Sequence, residues 1–466
     1  MKKIQLHWQI LIALLLAIVY GLVFSTNYEL ADEDFVKFSQ TGMDMQSLIS
    51  IKNVEFSTKR EFTAQLSTLS DSNLLAHQST IIKAAYENTA VNAVSWLGDL
   101  FLRALKMLII PLILSSLISG ITSIGSGGSL GRLGLKTIAY YITTSLFAIL
   151  TGLILVNLFK PGVGADLNFT QKVEGLVEKQ RSFDELLIEI VPNNIFQSLM
   201  EGDMLSIIFF AILFGFFITR VSKKSSELLS SFFQSVFDVM MKITLFVIKF
   251  TPLGIFGIVA KVVADQDDLS NLLVRMGLYM GTVILALLIH FFVILPLITK
   301  YIGKCAPFRH LKNMSTPIMT AFSTSSSGAT LPLTITAVEN KSGVSNRISS
   351  FTLPLGATIN MDGTALYECV AAIFIAQAYG VDLSVAAQII IVGTALLASI
   401  GAAAIPMAGL VMITVILSAV QLPLEGVGLI LAVDRILDMF RTATNVWSDS
   451  CGAVIIAKSE GENLNV

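Results

Sequence analysis

The chain is predicted to fold as an all-α integral membrane protein, with eight transmembrane helices and two re-entrant helical hairpins. Three observations carry that prediction. Hydrophobic residues make up 54% of the sequence and charged residues only 14%, with a mean hydropathy of +0.75, against about 25% charged residues in an ordinary soluble domain. Eight apolar stretches reach the ~20 residues that a membrane crossing requires. Two further apolar regions are interrupted at their centres, leaving halves of about 12 residues that are too short to cross.

Taken in order, the first span lies near residues 5–25, behind the basic tip of MKKIQLHWQ. Its start resembles a secretory leader, but no small-x-small cleavage site follows, so a retained helix at 1–25 is predicted. Residues 26–94 are polar and mixed in charge, with segments such as YELADEDF and REFTAQLSTL. They read as an extracytoplasmic insertion with short helices, solvated and without an assigned task. Further spans follow near 97–121, 134–158, 195–221, 230–263, 270–299, 347–379 and 424–457. Lys2 and Lys3, Arg132 and Lys136, Arg220 with Lys223 and Lys224, and Lys300 to Lys312 recur at every second boundary. That pattern places both termini, including the tail 461–466, in the cytoplasm. The net charge is −2 and no Lys/Arg-rich tract is present, so nucleic acid is not a partner. Cys305, Cys369 and Cys451 lack paired metal spacing and give neither a zinc site nor a disulfide framework.

The interrupted regions are 308–337, broken by STSSSGATLP, and 386–420, broken by SIGAAAIPMAG. Non-helical backbone at membrane depth is tolerated only where protein covers it or it lines a cavity. Two such segments in one chain point to the central binding site of a secondary transporter. Small residues that merely allow close helix packing are the plainer reading, yet Ser325, Ser326, Ser327 and Gly328 form a block rather than a four-residue repeat.

Span seven contains LPLGATINMDGTALYECV, in which Asn360, Asp362, Gly363 and Thr364 are poor residues for an apolar helix interior. A turn opened there would offer carbonyl oxygens beside the Asp362 carboxylate, the all-oxygen shell that sodium prefers. A simple kink is the alternative. Glu368, one turn on, is a second intramembrane carboxylate. It is a candidate proton carrier, because removal from water penalises the charged form.

The last span carries Asp434, Asp438, Arg441, Asn445 and Asp449, spaced 4, 3, 4 and 4 residues apart. On one helix they fall within an arc of roughly 80° along about 22 Å of axis. Each buried charge costs on the order of 3 kcal/mol at the bilayer centre, so such residues read as functional. Pairing Asp438 with Arg441 at i and i+3 leaves Asp434 and Asp449 unanswered, and that surplus asks for bound cations. His290, alone inside span six, reads as a packing residue.

SSSGATLP, NMDGTALYE, GAAAIPMAG and VDRILDMFRTATNVWSD, in that order, resemble the dicarboxylate and amino-acid:cation symporters. That family includes the excitatory amino-acid transporters and their archaeal aspartate homologues, and the resemblance covers about residues 93–460. It implies a glutamate-transporter-homologue fold with inverted repeats, assembled as a homotrimer. Residues 1–25, 95–130 and 161–268 would form the scaffold. Residues 131–160 and 269–460, with hairpins 308–337 and 386–420, would form a transport domain that crosses the membrane like an elevator.

The resemblance also implies site roles. Arg441 would grip the side-chain carboxylate of an acidic amino acid and Asp438 its ammonium, with Thr442, Asn445, Thr364 and Gly409 completing the pocket. Backbone amides at Ser326 and Ser327 would hold the α-carboxylate. Sodium ions, the co-transported species, would sit at three places. The first is Asp449 with Asn445 and the carbonyls of Gly356 and Asn360. The second uses carbonyls of Thr358, Ser399, Ile400 and Ala402. The third comprises Tyr141, Thr144, Ser145, Asn360 and Asp362. Glu368 matches the glutamate that carries a proton in the excitatory branch, and implies proton coupling.

The chain departs from both branches, since the arginine that one carries at Ser325 and the other at Met439 is missing. Arg435 is the remaining candidate to neutralise Asp434. No phosphate-binding loop is present, and the arrangement does not suit an enzyme. Carriers of cystine, another amino acid or a four-carbon dicarboxylate are the neighbouring alternatives, and a passive channel is the alternative of a different class.

Overall fold

The computed structural model describes residues 6–24, 28–30, 47–56, 59–69, 81, 85, 89–124, 130–165, 191–264, 269–401 and 408–466. The regular secondary structure of the described residues is helical, apart from two isolated β-bridges, Tyr28 to Phe56 and Leu30 to Lys52. In chain order the helices are α1 (Leu6–Val23), α2 (Lys59–Thr68), α3 (Thr89–Ile124), α4 (Leu130–Phe159), α5 (Ile195–Glu201), α6 (Met204–Ile218), α7 (Lys223–Ile248), α8 (Thr251–Ala264) and α9 (Leu269–Ile289). They continue with α10 (Leu295–Tyr301), α11 (Pro307–Asn313), α12 (Ser315–Thr324), α13 (Ser327–Asn340), α14 (Asn346–Ile359), α15 (Asp362–Ala378), α16 (Val385–Gly401), α17 (Ala408–Ala419) and α18 (Val427–Ser459).

Among the described residues, five helical stretches are long and apolar enough to cross a membrane: 90–122, 132–159, 223–248, 270–301 and 346–378. Shorter apolar helices occupy 8–23, 206–218, 251–264 and 385–399. Large apolar side chains such as Leu15, Leu16 and Val19 on α1 and Leu228, Phe232 and Phe246 on α7 face outward. An aqueous surface disfavours so much exposed apolar area, and lipid does not.

Several elements lie where the sequence places them. Residues 308–337 divide into α11, α12 and α13, and residues 386–420 into α16 and α17; the tip 402–407 lies outside the described residues. Span seven is broken at Asn360 and Met361, whose ψ values of 80° and 58° leave the helical region before Asp362 restarts it. Two expectations are corrected. Residues 230–263 form α7 and α8 instead of one span, because Pro252 has no amide hydrogen and its ring clashes with the carbonyl four residues back. Residues 195–221 are likewise interrupted, at Gly202, whose φ of +75° caps α5.

The outer insertion is less open than its composition suggests. Tyr28, Leu30, Leu48, Ile51, Phe62, Leu66, Ile81 and Ala85 are buried together as a small separate core, and the Tyr28 and Phe62 rings stack at 6.0 Å.

Within the membrane region the helices pack in two sets. In the first, α1 lies on α8 and α3 lies against α6, α7 and α8. The α3/α8 contact is close because Gly98 and Gly257 face each other: a Cβ on Gly257 would stand 2.7 Å from the Gly98 nitrogen and the Val94 oxygen. In the second set, α15 packs on α4, α9, α16, α17 and α18, and α18 also meets α12, α13 and α14. Every residue of α15 except Gln377 is buried, which suits a helix that is apolar nearly all round.

At the C-terminal end, Arg132 and Lys136 of α4 bond Glu460 at 2.7 and 2.6 Å. Ser345 donates its backbone N–H to Glu462 at 2.9 Å, and Asn465 donates to the Ser342 carbonyl at 2.9 Å. The three cysteines are all buried and free.

Candidate substrate and cation site

The site is built from α18 outward. Arg441 reaches back along its own helix, so that Nη2 stands 2.9 Å from Asp438 Oδ1 and 3.0 Å from Asp434 Oδ1. Asp434 is therefore answered, by Arg441 seven residues on, and not by Arg435. Arg435 is partly exposed and lies 3.8 Å from the other Asp438 oxygen. Positions i, i+4 and i+7 share a face, and a side chain on a helix leans towards its N-terminus.

The guanidinium is enclosed as well as paired. Its carbon lies 3.9 Å from the Tyr367 ring centroid. A Cβ on Gly409 would come 2.5 Å from Nη1, so any larger residue at that position would push the guanidinium aside. Arg441 is 1% exposed, and its Nη1 and Nε have no hydrogen-bond partner among the described residues. Arg presents five donors in a planar fork and cannot shed its charge. Unanswered donors in a buried fork are costly, and a carboxylate satisfies them.

Several of the expected polar groups lie on α18 or on helices packed against it. Asn445 accepts from the Gly363 amide at 2.8 Å and donates to Thr364 Oγ1 at 3.2 Å, which ties α18 to the first turn of α15. Thr442 is buried on the same helix. Ser326 caps α13, its hydroxyl accepting from the Ala329 amide at 3.2 Å, while Ser325 adopts a left-handed φ of 50° in the turn before it. Phe322 meets Phe440 edge-on at 5.1 Å, seating this hairpin on α18. Ser325 and Ser327 are buried at this turn while Gly328 and Ala329 are exposed, so the start of α13 has one face against protein and one face open.

Two oxygen clusters sit where the chain leaves helical geometry. In the first, Asn360 donates to Asp449 Oδ1 at 2.8 Å and to Ser448 Oγ at 3.1 Å. The Gly356 carbonyl accepts the Asn360 amide at 2.8 Å. In the second, Ser145 donates to Asp362 Oδ1 at 2.6 Å. Thr144 Oγ1 lies 3.2 Å from that oxygen and 3.4 Å from Asn360 Oδ1. Both carboxylates are buried. Hard monovalent cations take such oxygen-only shells, and no group of three or more His, Cys, Asp or Glu able to hold a metal occurs among the described residues.

Other expected ligands are placed differently. The Tyr141 hydroxyl donates to the Thr352 carbonyl at 2.7 Å, away from the Asp362 carboxylate. The hydroxyls of Thr358 and Ser399 bond within their own helices, to Leu355 and Leu396 at 2.9 and 2.8 Å, although α14 and α16 touch. Each hydroxyl is thereby turned back along its own helix. Ala402 lies outside the described residues, as does the side chain of Ile400. Glu368 is 0% exposed, and neither carboxyl oxygen has a hydrogen-bond partner among the described residues.

The structure gives the buried His290 a partner. Its Nε2 stands 3.1 Å from Asp362 Oδ2, with both side chains 0% exposed. Its position in a long apolar span was the available signal; its partner, 72 residues away, was not.

The profile of the sodium:dicarboxylate symporter family matches residues 6–459. The proton/sodium-glutamate symport protein of Bacillus subtilis (strain 168) is 39% identical over 372 residues, covering 78% of this chain and 86% of its own. Excitatory amino acid transporter 3 of Mus musculus is 37% identical over 418 residues, 79% of each chain. The proton/glutamate-aspartate symporter of Escherichia coli (strain K12) is 34% identical over 421 residues, covering 88% of this chain and 94% of its own.

Proposed function

The chain belongs to the sodium:dicarboxylate symporter family, and from that premise we propose that it is a secondary active symporter taking up glutamate or aspartate with sodium. It is a multi-pass membrane transporter and not an enzyme. Its relatives are named for glutamate or aspartate symport and for proton or sodium coupling. The observation that carries the reading is the Arg441 guanidinium, with two donor nitrogens unanswered in a buried pocket beside two carboxylates.

The side-chain carboxylate of the substrate satisfies the free edge of Arg441, and its ammonium is held by Asp438. Its α-carboxylate takes the amides at Ser326 and Ser327, where the α13 dipole is positive. Thr364, Thr442 and Asn445 supply the remaining polar contacts, with Gly409 closing over the guanidinium. A neutral amino acid leaves Arg441 unpaired, and a substrate without an ammonium leaves Asp438 unpaired; buried polar groups left without partners are what make such a site selective.

Sodium is cargo here, held at the Asp449, Asn445, Gly356 and Asn360 cluster and at the Thr144, Ser145, Asn360 and Asp362 cluster. A third position uses the carbonyls of Thr358, Ser399, Ile400 and Ala402. Tyr141 contributes through its backbone, because its hydroxyl is engaged elsewhere. Binding of cations and anion together neutralises a pocket that is costly when only one kind is present. Glu368 carries a co-transported proton.

The two packing sets support a division into a scaffold (α1, α3 and α5 to α8) and a mobile transport domain (α4 and α9 to α18) working as an elevator. We read this division as eight spans and two hairpins arranged as inverted repeats. The outward apolar face of α7 supports a homotrimer, and the charge pattern supports the cell membrane with both termini cytoplasmic. The test is uptake of a panel of labelled amino acids by proteoliposomes, with the sodium gradient and pH set independently. Glutamate or aspartate accumulates above equilibrium only while the sodium gradient stands; equilibration without accumulation would identify a pore.

A further inference from the structure

We infer that His290 is a positioning residue for cation coupling, holding the Asp362 carboxylate so that its other oxygen faces the Thr144, Ser145 and Asn360 oxygens. The inference rests on the proposed sodium symport and adds a residue to it. It starts from an irregularity in the backbone. Between α9 and α10 the residues His290–Ile294 form a π-helical turn, in which the Leu295 amide bonds to the His290 carbonyl, five residues back. Such bulges insert one residue into a helix, release a carbonyl and gather at functional sites.

Here the bulge is held from outside. Trp447 of α18 donates its indole N–H to the Phe291 carbonyl at 3.1 Å and packs between the Phe291 and His310 rings, at 5.8 and 5.2 Å. With the bulge fixed, the imidazole is directed at Asp362. The contact of 3.1 Å is made by Nε2 on Oδ2, while Nδ1 has no partner among the described residues. In the proposed role Asp362 is a carboxylate that only accepts, and Nε2 is then the donor.

Asp362 is then held by donors from three other helical segments. Ser448 donates to Oδ2 at 2.6 Å beside His290, and Ser145 donates to Oδ1 at 2.6 Å with Thr144 at 3.2 Å. His290 and Ser448 occupy one edge of the carboxylate and leave the other turned to the oxygen cluster. A packing histidine would need none of this, since any apolar ring of similar size would fill the space. Outer donors that orient a first ligand are the usual means of tuning a cation site.

The test uses the full-length protein. Its sodium response is measured twice: as the sodium concentration that half-saturates glutamate uptake, and as the sodium dependence of melting temperature in detergent without substrate. In His290→Leu both sodium midpoints rise about tenfold, the loss expected for a hydrogen bond to a charged group. The glutamate concentration that half-saturates uptake at saturating sodium stays within about twofold. His290→Gln, whose amide restores a donor, stays within about threefold of the parent in sodium midpoint. Unchanged sodium midpoints in His290→Leu overturn the inference, as does a fall in maximal uptake with unshifted midpoints. If His290→Leu does not fold, His290→Gln and His290→Asn decide alone: equal midpoints for the long and the short amide overturn it. A parent protein with no sodium dependence would sink the symport reading itself, a failure visible before any variant is made.

Discussion

At the scale of single residues, selectivity is concentrated on Arg441. Removing one partner of a buried, hydrogen-bonded charge pair costs about 2–5 kcal/mol, so Arg441→Cys is expected to weaken glutamate uptake by a factor of roughly 30 or more. The variant should admit neutral amino acids, and competition by unlabelled serine or cysteine against labelled glutamate checks it. Glu368 is the matching case for protons. With both oxygens unpartnered and fully buried, an ionised carboxylate there has no hydrogen-bond donor to stabilise it among the described residues. Glu368→Gln should flatten the pH dependence of uptake in proteoliposomes; a variant that keeps the full pH profile removes Glu368 from the coupling. Both residues stood out in the sequence for one reason: charge is rare and expensive in apolar helices. Their partners did not. The reach of Arg441 to Asp434 depends on a rotamer, and the contact of His290 with Asp362 joins positions 72 apart, a distance that no periodicity spans.

At the scale of elements, the breaks matter more than the helices. The opening at Asn360 and Met361 was readable because Asn, Asp, Gly and Thr cluster where an apolar helix should continue. The gap between α7 and α8 was missed because the flanking residues are mostly apolar, and only the short cluster of Lys249, Thr251 and Pro252 marked it. The α3/α8 contact yields a sharper prediction. A Cβ on Gly257 would meet backbone atoms at 2.7 Å, and backbone cannot rotate away as a side chain can. Gly257→Ala is therefore expected to destabilise the protein by about 1–3 kcal/mol, seen as a lower melting temperature in detergent with sodium affinity preserved. The link between α4 and the end of α18 responds to acid instead. Hydrogen bonds from Lys136 and then Arg132 hold the Glu460 carboxyl below its ordinary range. A depressed value in the folded state stabilises above the ordinary carboxylate range, and the gain is lost as pH falls through the depressed value itself. The parent should thus melt higher than Glu460→Gln at neutral pH, the difference shrinking as pH falls below the ordinary carboxylate range of about 4 to 4.5. A difference that persists in acid would contradict the link.

At the scale of the whole molecule, composition and span length sufficed to recognise a helical membrane protein with two interrupted segments. They did not show which helices pack together, since apolar surface against lipid and apolar surface against protein look alike in one dimension. α15 and α7 illustrate the difference. Both are mainly apolar, yet α15 is buried almost throughout and α7 is largely exposed in the single chain. The small core of the outer insertion was likewise hidden, because Tyr28, Leu30, Phe62 and Ile81 are spread along a polar background. If α7 is where protomers meet, crosslinks between copies should form through single cysteines on its outward face, at Leu228 or Phe232, and not through Leu15 of α1. Such experiments have a ready background. Because Cys305, Cys369 and Cys451 are enclosed and unbonded, thiol-reactive dyes and crosslinkers should leave the native protein almost unmarked. A reporter thiol introduced at a chosen surface position can then be read without first stripping the chain of its own sulfhydryls.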